Sequence, residues 1–243
     1  DHEFNRTIQN HMVSVTVSGL AYGNYTVVVN YLGDENYTKS SNSSRQIVIK
    51  NDINITLNET TAILTTENVT VKVNMSAKIN TTVTVSVNDI NYTVTIVNGE
   101  GELTLSGLAN DTYTVQATFA GNDKYLANAS NVIVITVSKA PTELTVNTTA
   151  VIIVGEDALI SITLNETINA TVVLRVNATE YNVAIVNGAG NFTVAHLREG
   201  IYYINATFAG DDKYIGSTSQ TIELNVTKIT IELAGNPTSV ITT

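Results

Sequence analysis

Apolar and polar residues alternate one by one along most of this chain, in short runs broken by Gly, Asn and Asp. Alternation with a period of two marks a strand with one buried face. Over residues 140–228 the pattern predicts seven short strands. Leu144 and Val146 face inward on the first, and Ala158, Ile160, Ile162 and Leu164 on the second. Val172, Leu174 and Val176 follow, then Tyr181, Val183 and Ile185, then Phe192 and Val194. The sixth carries Tyr202, Ile204, Ala206 and Phe208 inward, and the last Ile222, Leu224 and Val226. Between the fourth and fifth strands Asn187-Gly188 has the composition of a two-residue hairpin turn, as does Asn98-Gly99 earlier in the chain.

The pattern repeats. Residues 51–139 overlay 140–228 without a gap: Val71 falls on Ile160, Val85 on Leu174, Tyr92 on Tyr181 and Phe119 on Phe208. Residues 1–50 match the later part of the same unit, with Phe4, Ile8 and Asn10 falling on Tyr92, Ile96 and Asn98. From about 229 a further copy opens, Glu232-Leu233 falling on Glu143-Leu144. The expected organisation is thus a C-terminal part of a repeat (1–50), two complete repeats (51–139 and 140–228) and the first strand region of another (229–243). A period of 89 residues suits an independent small domain rather than one layer of a solenoid.

Two stretches recur in all three copies. Leu20-Ala21-Tyr22-Gly23-Asn24-Tyr25 returns as Leu108 to Tyr113 and as Leu197 to Tyr202. Gly33-Asp34-Glu35-Asn36-Tyr37 returns as Gly121 to Tyr125 and Gly210 to Tyr214. The first resembles the tyrosine corner of immunoglobulin-like folds, with Tyr25, Tyr113 and Tyr202 as the corner residues. The second is the turn between the last two strands, with Gly33, Gly121 and Gly210 at its start and Tyr37, Tyr125 and Tyr214 at its end. The expected fold is all-β: tandem immunoglobulin-like Greek-key β-sandwich repeats of about 89 residues in a rod-like array. The joints at Val137-Ser138-Lys139-Ala140-Pro141 and Val226-Thr227-Lys228 contain no flexible linker.

The Leu-x-x-Gly-x-Tyr-x-Val run, followed by a strand ending in aromatic-x-Gly-Asp-x-x-Tyr, resembles the immunoglobulin-like repeats of large prokaryotic surface adhesins. The Asn/Thr-rich background is most similar to the adhesin-like proteins of methanogenic archaea. That resemblance implies an extracellular, cell-surface location and a role in adhesion or as a stalk. It implies a ligand far less.

Composition narrows the chemistry. The 243 residues carry a formal charge of −10 and only 14% charged residues, which excludes a nucleic-acid surface built on clustered Lys and Arg. There is no cysteine, hence no disulfide and no thiolate catalysis. No apolar run is long enough for a membrane-spanning helix. His2, His11 and His196 are scattered, and His196 stands where the neighbouring copy has Gly107. No catalytic constellation is expected, and the chain reads as a non-enzyme without a cofactor. The one recurring acidic cluster is in the Gly-Asp-x-x-Tyr loop, where Asp34, Asp123, Asp211 and Asp212 offer oxygen ligands for calcium. The competing and favoured reading is a tight turn in which Gly takes positive φ and the acid caps backbone N–H groups.

Sequons for N-glycosylation are dense. They start at Asn5, Asn24, Asn36, Asn42, Asn54, Asn58, Asn68, Asn74, Asn80, Asn91, Asn110, Asn128, Asn147, Asn165, Asn169, Asn177, Asn191, Asn205 and Asn225. Outward strand positions are two residues apart, so Asn and Thr on a polar face produce about a dozen such triplets by parity alone. The remainder points to glycosylation, with Asn74, Asn177, Asn191, Asn205 and Asn225 expected on the solvent face.

The functional expectation is a structural, N-glycosylated cell-surface spacer whose partners are the neighbouring repeats of its own chain. Two alternatives remain open. One is a module that binds surface glycans or proteins of another cell, with Tyr22 and Tyr203 as exposed aromatics absent from the other copies. The other is a subunit that polymerises with copies of itself into an extracellular filament by strand donation.

Overall fold

The computed structural model describes residues 2–58, 61–232 and 235, and among these every regular element is a strand. Among the described residues there is thus no helix long and apolar enough to cross a membrane. Two compact units are distinguished. One holds the chain up to Thr61 with Val69–Leu105 and Thr112–Ile135; the other holds Ala62–Asn68, Ser106–Asp111 and the chain from Thr136 onward.

Residues 1–50 contribute β1 (Gly23–Tyr31) and β2 (Ser40–Val48), an antiparallel pair. Residues 51–139 contain β3 (Ile55–Leu57), β4 (Ala62–Leu64), β5 (Val69–Met75), β6 (Thr81–Val87), β7 (Ile90–Ile96), β8 (Glu100–Leu105), β9 (Asp111–Phe119), β10 (Asn128–Ala129) and β11 (Ile133–Ser138). Residues 140–228 contain β12 (Leu144–Asn147), β13 (Val151–Ile153), β14 (Ala158–Leu164), β15 (Ala170–Val176), β16 (Thr179–Ile185), β17 (Ala189–Val194), β18 (Gly200–Gly210), β19 (Ile215–Thr218) and β20 (Ile222–Thr227). The strand expected at 229–243 falls on residues that lie mostly outside those described; 229–232 carry none.

In 140–228 one sheet has the order β12-β14-β17 and the other β13-β20-β18-β15-β16, with β19 added to β18. Alternation explains the core between them. Ile160, Ile162 and Leu164 from the first sheet and Val172, Leu174, Ile185, Ile204, Phe208 and Leu224 from the second belong to one buried cluster. Residues 51–139 show the same arrangement, β3-β5-β8 against β4-β11-β9-β6-β7. β14 and β17 are neighbours although β15 and β16, which lie between them in sequence, sit in the other sheet. That crossing makes each complete repeat an immunoglobulin-like Greek-key sandwich.

All seven expected strands of 140–228 are present, and two more accompany them. The first, β13, is the second half of the opening strand, which leaves β14 and pairs in parallel with β20, Val151 facing Asn225. Its run Val151-Ile152-Ile153 has no alternation, and only Ile152 is fully buried, so the local pattern does not announce it. The other, β19, is the short start of the final strand.

Between β19 and β20 lies a β-bulge. Thr207 faces Thr218, yet Ile204 faces Ile222, so two residues on β18 are opposed by three. Buried Ser219 fills the gap, its Oγ accepting the Ala206 N–H at 2.9 Å and donating to the Gln220 carbonyl at 3.0 Å. Ser130 does the same in the preceding repeat, with the Ala117 N–H and the Asn131 carbonyl. β1 and β2 lack the bulge: their register is uniform from Tyr31 opposite Ser40 to Gly23 opposite Val48, and Asn42 stands at the serine position. Consequently Tyr25 faces Gln46 where Tyr202 faces Leu224, and Ile47, the counterpart of Leu224, moves to the opposite face. Residues 2–22 carry no strand, only the bridge between Gln9 and Met12. In the complete repeats the corresponding segments pair with β6 and β5, which have no counterpart in residues 1–50.

Candidate functional site

The Gly-Asp-x-x-Tyr loops are built by their backbones. Gly33, Gly121 and Gly210 have φ of 86°, 84° and 82°, and the following residue turns its side chain back on the loop. Asp34 Oδ1 accepts the N–H groups of Asn36 and Tyr37, both at 2.8 Å. Asp211 Oδ1 accepts those of Lys213 and Tyr214 at 2.7 and 2.8 Å. In the middle copy the capping residue is Asn122, whose amide oxygen accepts from Lys124 and Tyr125 at 2.9 Å each. An uncharged amide therefore does the same work, as expected of a residue that caps its own turn. Asp123 sits one position further on, matching Glu35 and Asp212 rather than the capping residues. Among the described residues no three His, Cys, Asp or Glu side chains converge in a way that holds a metal ion.

Backbone pairing also ties these loops to the start of the same repeat. Ala140 donates to the Lys213 carbonyl and accepts from the Ile215 N–H, both at 2.8 Å. Asn51 does likewise with Lys124 and Leu126, at 2.8 and 2.9 Å. Asp34 has one further partner, the Tyr31 hydroxyl. That hydrogen bond lowers the Asp34 pKa and raises that of Tyr31. Burial, with the charges of Glu166 and Asp211, raises Tyr214.

At the other recurring motif the tyrosine hydroxyl reaches back four residues. Tyr25 donates to the Ala21 carbonyl at 2.9 Å. Tyr202 donates to the Arg198 carbonyl and accepts the Arg198 N–H, both at 3.1 Å, tying the loop to the strand that follows. Tyr113, at the matching position, is half-buried.

Two of the three histidines, His11 and His196, hold left-handed backbone. His196 has φ of 60° where Gly107 has 65°, and His11 has 62° where Gly99 has 86°. They occupy glycine positions of the repeat.

Nine sequon asparagines lie on strands: Asn24, Asn42, Asn74, Asn91, Asn128, Asn147, Asn191, Asn205 and Asn225. The other ten lie in turns and loops: Asn5, Asn36, Asn54, Asn58, Asn68, Asn80, Asn110, Asn165, Asn169 and Asn177. Glu59 and Thr60, which complete the Asn58 triplet, are outside the described residues. Asn58 and Asn205 are half-buried and the rest exposed. Several do structural work. Asn80 Oδ1 accepts the Asn98 N–H at 2.7 Å and Asn169 Oδ1 the Asn187 N–H at 2.9 Å, pinning the Asn-Gly turn in each repeat. Asn177, with φ of 50°, caps the Tyr203 N–H at 2.9 Å from a turn rather than from a strand face. Asn128 donates its Nδ2 to the Ile53 carbonyl. These bonds explain why Asn80 and Asn169 recur, a reason the sequon density hides.

The Asn-Gly pairs have φ of 52° and 86° (Asn98, Gly99) and of 51° and 80° (Asn187, Gly188), both positive, as a type I′ turn requires. The strands they join separate at once into opposite sheets, and Tyr181 and Phe192 pack across that corner with ring centroids 4.7 Å apart.

Two shallow surface hollows stand out. One is lined by Lys72, Asn74, Glu100, Gly101 and Glu102, the other by Ser86, Asp89, Thr114, Val115, Gln116 and Val132. Tyr22 and Tyr203 are each more than half exposed, and the Lys50 ammonium lies 5.5 Å from the Tyr22 ring centre.

No family model matches the chain, and no curated protein does. Among solved structures it is similar to the fibronectin(III)-like modules of Clostridium thermocellum CbhA, at 14% identity and a TM-score of 0.34, covering 75% of this chain and 98% of that one. It is also similar to the human OSCAR ligand-binding domain, at 12% identity and a TM-score of 0.30, covering 72% and 99%. Scores this low carry no argument, and the assignment of an immunoglobulin-like sandwich rests on strand order, register and the shared core.

Proposed function

We propose that this chain is a structural, non-enzymatic segment of a cell-surface protein, an adhesin or stalk, whose repeats act as spacers and carry N-linked glycans. The observation behind this reading is what the recurring side chains do. In both complete repeats the residues that return are core positions, turn caps, turn glycines and the corner tyrosine. A unit copied for its architecture serves length. Small-angle scattering of residues 51–228 tests it: the reading requires a maximum dimension well beyond that of one repeat, and a compact particle sinks it. Intact mass of natively produced protein tests the glycans, with excess mass over the polypeptide as the expected result.

Tyr203 and Tyr22 favour a second reading, a binding module for glycans or proteins of another cell, because they are exposed aromatics without aromatic counterparts. A glycan array with no signal above background counts against it. The exposed Val27, Val29 and Ile47 of the β1–β2 pair favour self-assembly by strand donation. Monomers at all concentrations in sedimentation rule that out.

A further inference from the structure

Each complete repeat leaves two strands at free sheet edges on the side where the Asn-Gly turn crosses: β7 and β8 in one, β16 and β17 in the other. Exposed edges invite pairing with another chain and need a guard. One outward position on each of these strands shows a pairwise exchange. On β8 it is Glu102, directly opposite Lys72; on β17 the same repeat position is Asn191, directly opposite Ser161. On β16 it is Glu180, opposite and ion-paired with Arg175; on β7 it is Asn91, opposite Ser86. Both asparagines are exposed and open complete sequons, Asn91-Tyr92-Thr93 and Asn191-Phe192-Thr193.

Residue and neighbour thus change together, twice, on different strands. At these two positions a long cation stands opposite the carboxylate and a serine opposite the sequon asparagine. Side chains facing each other across an antiparallel pair have Cβ atoms about 5 Å apart, so a long neighbour competes for the space above the asparagine. Serine leaves that space open. We infer that Asn91 and Asn191 are glycan attachment sites, and that each glycan guards a sheet edge which the other repeat guards with an acid–base pair. The inference rests on the glycosylation reading above and narrows it to two positions and one purpose. In the attachment step the Asn Nδ2 bonds to the anomeric carbon of a phosphate-linked oligosaccharide donor. The bond from that carbon to the phosphate breaks, the phosphate leaves with the electron pair, and the amide gives up one proton. Bulk and hydration then deny the edge to another strand.

The test is glycopeptide mapping of the full chain secreted by a host that attaches N-glycans, followed by sedimentation. Glycans on Asn91 and Asn191 are the expected result. Glycans on other sequons with these two bare overturn the edge assignment and leave the broader reading standing; no glycan anywhere overturns both. The double variant Asn91→Gln/Asn191→Gln is expected to lose the mass of two glycans and to self-associate at concentrations where the parent is monomeric. Adding the charged pairs in place of the sequons, Ser86→Arg/Asn91→Glu with Ser161→Lys/Asn191→Glu, is expected to restore the monomer without glycans. A glutamine variant as monodisperse as the parent overturns the guarding role.

Discussion

The Tyr202 hydroxyl both gives a hydrogen bond to the Arg198 carbonyl and takes one from the Arg198 N–H, each 3.1 Å long. One phenol therefore closes the loop that leads into β18. Tyr202→Phe keeps the ring in the core and deletes only this clasp. The expected loss is about 1 kcal/mol for hydrogen bonds of this kind, read as a lower denaturant midpoint at unchanged slope.

His196 holds a left-handed backbone that Gly107 holds at the matching position. A side chain there costs about 1–2 kcal/mol. His196→Gly is expected to recover part of that despite the freer unfolded chain, raising the thermal midpoint, and Gly107→His to lower it.

Asn122 and Asp211 cap equivalent turns through one oxygen each. Asp211→Asn is therefore expected to leave stability within about 0.5 kcal/mol, whereas Asp211→Ala loses roughly 1 kcal/mol with the cap. Melting curves in calcium and in chelator check the alternative. A calcium-dependent shift abolished by Asp211→Asn would restore the metal reading of Asp34, Asp123, Asp211 and Asp212.

The buried Ala206 N–H at the bulge has the Ser219 hydroxyl as its acceptor. Ser219→Ala strands that donor, at a cost of about 1–3 kcal/mol. Loss of amide-exchange protection at Ala206, measured by NMR, locates the damage.

At Gly188 a Cβ would come within 2.6 Å of the Glu166 carbonyl oxygen, on a backbone whose φ is +80°. Strain and clash act together, so Gly188→Ala is expected to destabilise by more than about 2 kcal/mol in chemical denaturation.

How much of this was readable beforehand follows from where the information sits. The inward residues Ile160, Leu174, Ile204 and Leu224 alternate with polar neighbours, so their burial is written locally. β13 is not, because its partner β20 is far along the sequence and Val151-Ile152-Ile153 has no alternation to betray a change of sheet. The Asn-Gly turns were legible as turns, but not as corners, since the separation of β16 from β17 depends on which sheets accept them. At the loops the glycines and the capping Asp residues are legible in the sequence, while Asn122 carries no charge to mark it as a cap. Asn80 and Asn169 looked like sequons, and their bonds to the Asn-Gly turns need coordinates to be seen. The serine of the bulge had no signal of its own: Ser130 and Ser219 are two among many polar residues until Ala117 and Ala206 are found donating to them.

The parallel pairing of β13 with β20 also sets how a repeat bears tension. The chain enters at Ala140, beside Tyr214, and leaves after Thr227, which pairs with Ile153 at the far end of β20. A pull applied through those two points drives the paired strands past each other lengthwise, so their hydrogen bonds are loaded together in shear instead of peeling one at a time. Mechanical rupture then has to break the whole patch in a single event.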